Sequence, residues 1–324
     1  MSELQKSLVL WAESPEEARR FLHIASSRVD VLNINQIFVA KKSPRSRFNK
    51  YISGEYYITS NDQAVDVYDE TITAPQGITS LVQWCTCDIM LSIGDIPCVV
   101  IEDTTHIVRM NLYQRFPRLA RASSLKVPSL ILQGTRGLDF QRRGDCWALY
   151  RYLQSFDAIA KIHPDCPSIP IWYEPTPEQE LAAQSKSIEY ITAIVTQDNE
   201  RIQAQRHEVL THIRRLLENG VRGFIPPNIP SINHDGTEVV IRIGAKPDKK
   251  SWRTKGSGQM DPYIGMILAA KYIYCYDTDG RKIKPLVVEF SYLPKDFWFF
   301  RDRQSTALYK RLPFEFADEV RFLG

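Results

Sequence analysis

No apolar run in the chain approaches the roughly 20 residues that a membrane-spanning helix needs, and the opening MSELQKS has no signal-peptide hydrophobic region. A soluble, cytoplasmic chain is therefore expected. The six cysteines are scattered, and the closest two, Cys85 and Cys87, have one residue between them rather than the roughly two to four of a zinc half-site. Reduced, structural thiols are expected. Nor is there a strong charge of either sign. Lys+Arg at 41 against Asp+Glu at 38 leaves +3, so polyanion binding must come from local clusters rather than from a basic surface. Internal repeats and low-complexity segments are missing, the histidines have no ligand spacing, and no glycine loop closes on Lys followed by Ser or Thr, which excludes a P-loop.

What is present is an ordinary globular composition spread over 324 residues, more than one domain usually holds. The pattern divides into a core over 1–140, a helical region over 141–220 and a C-terminal region over 221–324 that completes a sheet or reads a ligand, or else it forms one elaborated domain. Ser14-Pro15-Glu16-Glu17 has an N-cap serine, proline at the first helical position and glutamate in the capping-box place, which predicts a helix to about Ser27. Strands are expected over 29–39, 56–60, 62–68, 127–133, 237–243 and 286–292, and helices over 110–125, interrupted at Pro117, and 145–162. Thr176-Pro177-Glu178-Gln179 repeats the capping pattern. The ~40 helical residues that follow would span about 60 Å unbroken, so a break is predicted near 196–199. Asp261-Pro262 opens a further helix to about Tyr274. The order of elements predicts an α/β (α+β) fold with a mixed central sheet flanked by helices.

The densest chemical signal is Cys87 to Thr104: an apolar strand opening on Asp88, a Gly94-Asp95 turn, and an apolar strand closing on Glu102-Asp103-Thr104. Carboxylates at the ends of buried strands need partners, because an unpaired charge in an apolar interior is costly. A hard cation such as Mg²⁺ is one such partner. Register decides the geometry. An odd-numbered turn sets Asp88 opposite Glu102 on one face, whereas a two-residue turn sets it opposite Ile101 and turns the carboxylates to opposite faces. The plainer alternative is one acid capping a turn and the other exposed at a strand end. Asp103 falls on the other face from Glu102, and Asp95 reads as a turn residue.

Asp88, a gap of thirteen residues and Glu102-Asp103-Thr104, set in a helix, hairpin, helix and strand, resemble the PD-(D/E)XK nuclease superfamily, and its type II restriction endonucleases in particular. The resemblance covers about residues 14–135. It implies a restriction-endonuclease-like core, Asp88 and Glu102 as ligands of one or two Mg²⁺ ions (Mn²⁺ substituting), and sequence-specific hydrolysis of double-stranded DNA by in-line attack of water with the 3′ oxygen leaving. A homodimer would suit a palindromic duplex. Thr104 stands where the family usually has lysine and cannot supply its charge. Gln114, Arg115 and Arg118 on the following helix are the candidates to replace it, against the alternative that the arginines are solvated.

Two basic runs are candidate DNA contacts through backbone phosphates. One holds Lys41, Lys42, Arg45, Arg47 and Lys50; the other holds Lys246, Lys249, Lys250, Arg253 and Lys255 and leads to Gln259 before the Asp261 helix start. Arg142 and Arg143 form a weaker pair, and His106 could line the cleft. The pair Asp261 and Glu289 competes with Asp88 and Glu102, but Asp261 is more simply a helix cap. Two rival functions remain open: a nuclease-like fold that has lost catalysis and serves as a DNA-binding or assembly protein, and a glycosidase using two separated carboxylates.

Overall fold

The computed structural model describes residues 7–28, 31–42, 51–59, 68–82, 87–104, 112–135, 141, 143–174, 176–225, 232–243, 267, 270–291 and 316–323. In chain order the elements are β1 (Leu8–Ala12), α1 (Pro15–Ala25), β2 (Ile34–Lys42), β3 (Tyr51–Thr59), β4 (Tyr68–Thr73), α2 (Gln76–Val82), β5 (Ile89–Ile93), β6 (Ile96–Asp103), α3 (Leu112–Ser124) and β7 (Ser129–Gly134). They continue with α4 (Arg143–Ile162), β8 (Ser168–Tyr173), α5 (Pro177–Thr196), α6 (Asn199–Asn219), β9 (Ile232–Asn233), β10 (Val239–Ile243), β11 (Leu286–Phe290) and β12 (Glu319–Phe322). No helix among the described residues is long and apolar enough to cross a membrane.

Eight strands form one mixed sheet in the order β4-β3-β2-β1-β5-β6-β7-β8. β1 lies at its centre, parallel to β2 and antiparallel to β5, and the hairpin β5–β6 runs on into parallel β7 and β8. Helices α1 and α5 pack on one face, and α2, α3 and α4 on the other. Because β5, β6 and β7 are covered on both sides, they read as continuous apolar runs rather than alternating ones. Leu91, Val99, Val100, Leu130 and Ile131 are all fully buried, each contributing about 1.5–3 kcal/mol of transfer free energy. A second sheet, β12-β11-β10-β9, adds Val239, Leu286 and Phe290 to the same apolar cluster that holds Leu8 and Leu130.

The mixed sheet flanked by helices agrees with the sequence reading, and so do the helix caps. Ser14 Oγ accepts from Glu17 N, and Thr176 Oγ1 from Gln179 N. The expected break falls at Gln197, which caps α5 in the left-handed conformation before the Asp198 side chain caps α6. Three differences stand out. The sequence reading has neither β1 nor β8, nor α2; all three are short, and Pro170 inside β8 argues locally against a strand. The second strand begins at Ile34 rather than at 29. Finally, the main sheet runs past residue 140, since its last strand β8 lies between α4 and α5. The helix expected from Asp261 lies mostly outside the described residues, which show its end over 270–274.

Candidate active site

The hairpin fixes the site. Ile93 pairs with Ile96 across a two-residue turn, Gly94-Asp95, with Gly94 at φ +55°, the region in which glycine has no steric penalty. By that turn alone Asp88 would face away from Glu102. The register shifts between Leu91 and Ser92, however, so that Leu91 pairs with Val99 and Ile89 with Ile101. Cys98 is the extra residue of a β-bulge, and one inserted residue reverses which face every later side chain takes. Asp88 therefore ends opposite Glu102 on the same face. The expectation that a two-residue turn separates the carboxylates is thus corrected by the bulge. Pro97, which has no N–H to give the ladder, is the sequence signal for it. The buried Ser92 secures the turn by donating to the Gly94 carbonyl at 2.8 Å while accepting from Trp11 Nε1 at 2.9 Å.

Asp88 and Glu102 are both fully buried. Asp88 Oδ2 accepts from Asp103 N at 3.0 Å, and Asp88 N donates to Glu102 Oε1 at 3.4 Å. The other oxygen of each acid converges on α3. Arg118 Nη1 donates to Glu102 Oε2 at 2.7 Å and to Asp88 Oδ1 at 3.1 Å, and Arg115 Nη1 donates to the same two oxygens, at 3.0 Å for Glu102. One buried point is thus shared by two carboxylates and two guanidinium groups. The solvated alternative for these arginines does not hold: Arg118 is 6% exposed, and the Arg115 side chain 12%. Pro117 stands between them inside α3 and removes one rung of its hydrogen-bond ladder.

The two acids are held differently. Burial would raise Asp88, but Arg115 and Arg118 outweigh it and keep its carboxyl below the usual range. Burial raises Glu102 to about 8, and the Asp88 charge adds to this against the pull of Arg118. Glu13, the residue after β1, is a third acid that the sequence reading missed. Its N–H donates to the Asp88 carbonyl at 2.9 Å, and its Oε1 lies 3.8 Å from Arg118 Nη2. Burial raises its carboxyl too. The available signal was the same as for Glu102, an apolar run (Leu8 to Ala12) that closes on an acid.

Thr104 is buried and committed elsewhere, with its hydroxyl donating to the Leu132 carbonyl at 3.0 Å. Asp103 lies on the opposite face, where Arg20 Nη1 is 4.0 Å from its Oδ2. Gln114 is on α3 one turn from Arg118, but its side chain lies outside the described residues. Lys41 is the penultimate residue of β2, half-buried, its Nζ 5.8 Å from the Tyr57 ring centre. Lys42 follows it in β2, paired with Tyr51. The calls on Arg45, Arg47, Lys50, His106, Arg142 and Asp261 lie outside the described residues, as do those on Lys246, Lys249, Lys250, Arg253, Lys255 and Gln259. Glu289 pairs instead with Arg242 at 2.9 Å in the second sheet. A groove of about 680 Å³ between β8, α5 and α6 is lined by Trp172, Lys186, His207 and His212. It does not include the acid pair.

The donor set suits a hard divalent ion. Asp88 Oδ1 and Glu102 Oε2 are hard oxygen donors that meet the same two guanidinium nitrogens, and Mg²⁺ is typically held by one or two carboxylates, with water and substrate phosphate completing its shell. Among the described residues no group of three or more His, Cys, Asp or Glu side chains has metal-binding geometry. No family model, curated protein or solved structure matches the chain.

Proposed function

We propose that the chain is a Mg²⁺-dependent, sequence-specific endonuclease of double-stranded DNA, a hydrolase of the restriction type with a restriction-endonuclease-like core, acting as a homodimer in a restriction-modification setting. The observation that carries this reading is the convergence of Asp88 Oδ1 and Glu102 Oε2, at neighbouring strand ends, on the same two guanidinium nitrogens, Arg115 Nη1 and Arg118 Nη1. One or two Mg²⁺ ions, or Mn²⁺ in their place, would be held by Asp88 and Glu102. Such an ion, when bound, neutralises a phosphate oxygen and lowers the pKa of water.

The chain's own groups supply the rest. Asp103 N–H orients Asp88, and the Asp88 N–H orients Glu102. Arg115 and Arg118 have long side chains that can turn from the carboxylates to the phosphate as the substrate arrives, a planar donor for a planar acceptor. They would thereby provide the positive charge that Thr104 cannot. Lys41 and the basic runs of the sequence would hold the DNA backbone, giving an affinity that falls with salt.

Digestion of plasmid and random-sequence DNA by the wild type, Asp88→Asn and Glu102→Ala tests the reading, each protein with Mg²⁺, Mn²⁺ or EDTA. Discrete fragments from the wild type alone, and only with metal, are expected. Equal cutting by Glu102→Ala would remove that residue from the mechanism.

One observation favours a second reading, a nuclease-like fold that binds DNA without cutting it. Two guanidinium groups already neutralise the acid pair, and the Thr104 hydroxyl is spent on a carbonyl. This reading predicts equal DNA binding in EDTA and Mg²⁺, with no cleavage in either.

A further inference from the structure

The groove between β8, α5 and α6 encloses about 680 Å³, within the roughly 300–1,000 Å³ of small-molecule sites. Small side chains keep it open. Ala182 and Ala183 of α5 and Ala204 of α6 line it, where longer residues would fill the space between the helices. On its wall Lys186 of α5 joins α6, its Nζ donating to Glu208 Oε1 at 2.6 Å. Ala204, His207, Thr211 and Arg215 recur at spacings of three and four and so share one stripe of α6 facing the groove. His212 stands beside that stripe and stacks on Trp172 of β8, with ring centres 5.1 Å apart and planes 25° from parallel.

The groove is also positive. Glu208 is the one acid among the described residues that line it, and it is committed to Lys186. Arg215 has no ion pair among the described residues. Burial, and then the charges of Arg215 and Lys186, hold the His212 imidazole below its ordinary range against the pull of Glu208. An uncompensated cation thus lies one helical turn from a stack of two aromatic rings. The complementary small molecule is anionic at one end and flat at the other. Guanidinium groups recognise phosphate oxygens in pairs, and nucleobases of any kind stack on aromatic side chains.

We propose that this groove is a nucleotide site that takes a nucleoside monophosphate, its base laid on the Trp172–His212 stack and its phosphate held by Arg215 with Lys186. The site is separate from the acid pair of the main sheet and does not rest on the metal-dependent reading.

The test is calorimetric titration of the full chain with adenosine, guanosine, cytidine and uridine 5′-monophosphates, with inorganic phosphate and the unphosphorylated nucleosides as separate arms. At least one monophosphate is expected to bind at a single site, about tenfold or more tighter than phosphate or its nucleoside alone. Arg215→Gln, a change at an exposed position, is expected to weaken that binding about tenfold or more. Arg201→Gln, which removes the same charge from the other end of α6, should leave it unchanged. Histidine proton spectra of the wild type give a readout that needs no variant. A phosphate dianion favours the imidazolium, so the His212 titration should move to higher pH when the nucleotide binds, and affinity should be greater at pH 6 than at pH 8. Failure of all four monophosphates to bind overturns the proposal, as does a His212 resonance that stays put on binding. Equal losses in Arg215→Gln and Arg201→Gln would show diffuse surface charge in place of a site. Phosphate alone binding as tightly as the monophosphates removes the base from the recognition and overturns it too. A single-stranded oligonucleotide that binds far more tightly than any monophosphate would make the groove a strand track and overturn the small-ligand assignment.

Discussion

Arg118 is the residue on which the candidate site balances. It touches Asp88 and Glu102 and lies near Glu13, and removing one partner of a buried ion pair leaves the others uncompensated at a cost of about 3–5 kcal/mol. Arg118→Met should lose stability on that scale in urea without metal. Combining it with Glu102→Gln should cost less than the two single changes added together, because the neutral amide no longer needs the cation. Mg²⁺ should also raise the melting temperature of Arg118→Met more than that of the wild type, since the ion takes over the vacated charge role. Glu17 gives a separate prediction. Burial, with the charge of Asp88, raises its carboxyl from the ordinary 4.5 to about 7. A raised carboxyl contributes stability that is fully present below pH 4.5 and lost as pH rises through about 7. Glu17→Gln, which keeps the neutral shape, should therefore be more stable than the wild type at pH 8 and equal to it near pH 4. Urea midpoints at the two pH values check this. A constant difference would show that the carboxyl does not titrate as described.

The β5–β6 hairpin is the element that turns sequence spacing into a site. Asp88 and Glu102 were legible as a pair from the strands around them, yet their facing geometry depends on Cys98 being left over in the ladder. Deleting Cys98 should restore a plain two-residue hairpin and carry Glu102 to the face of Asp103, away from Arg115 and Arg118. Metal-dependent cleavage should then vanish. A Cys98→Ala variant, which keeps the residue count, should cut DNA as the wild type does; loss of activity there would mean that the thiol matters and not the register. Helices α5 and α6 show the opposite case, in which the element was fully readable. Thr176, Pro177 and Gln179 begin α5, and Gln197 and Asp198 separate it from α6, because capping is a local hydrogen-bond requirement that the neighbouring residues satisfy themselves.

At the scale of the whole molecule, the main sheet does not stop at residue 140. Ser168 of β8 meets Ser129 of β7 at 2.6 Å and donates to the Leu119 carbonyl of α3 at 3.0 Å, and α4 and α5 cover the faces that α3 and β7 would otherwise expose. A fragment of residues 1–140 should therefore lack a cooperative thermal transition, whereas residues 1–225 should retain helical and strand signal in circular dichroism. A cooperative transition in the short fragment would instead support an independent core ending near 140. The sequence by itself determined the starts of α1 and α5, the break between α5 and α6, the apolar strands β5 to β7 and the acids beside β5 and β6, because caps, periodicity and turn residues act over a few neighbouring positions. Only the tertiary structure decided that Glu13 joins Asp88 and that Arg115 and Arg118 are buried on the acids rather than solvated. Those relations link side chains tens of residues apart. They follow from which strands are neighbours and which helix crosses them, and no local pattern encodes that.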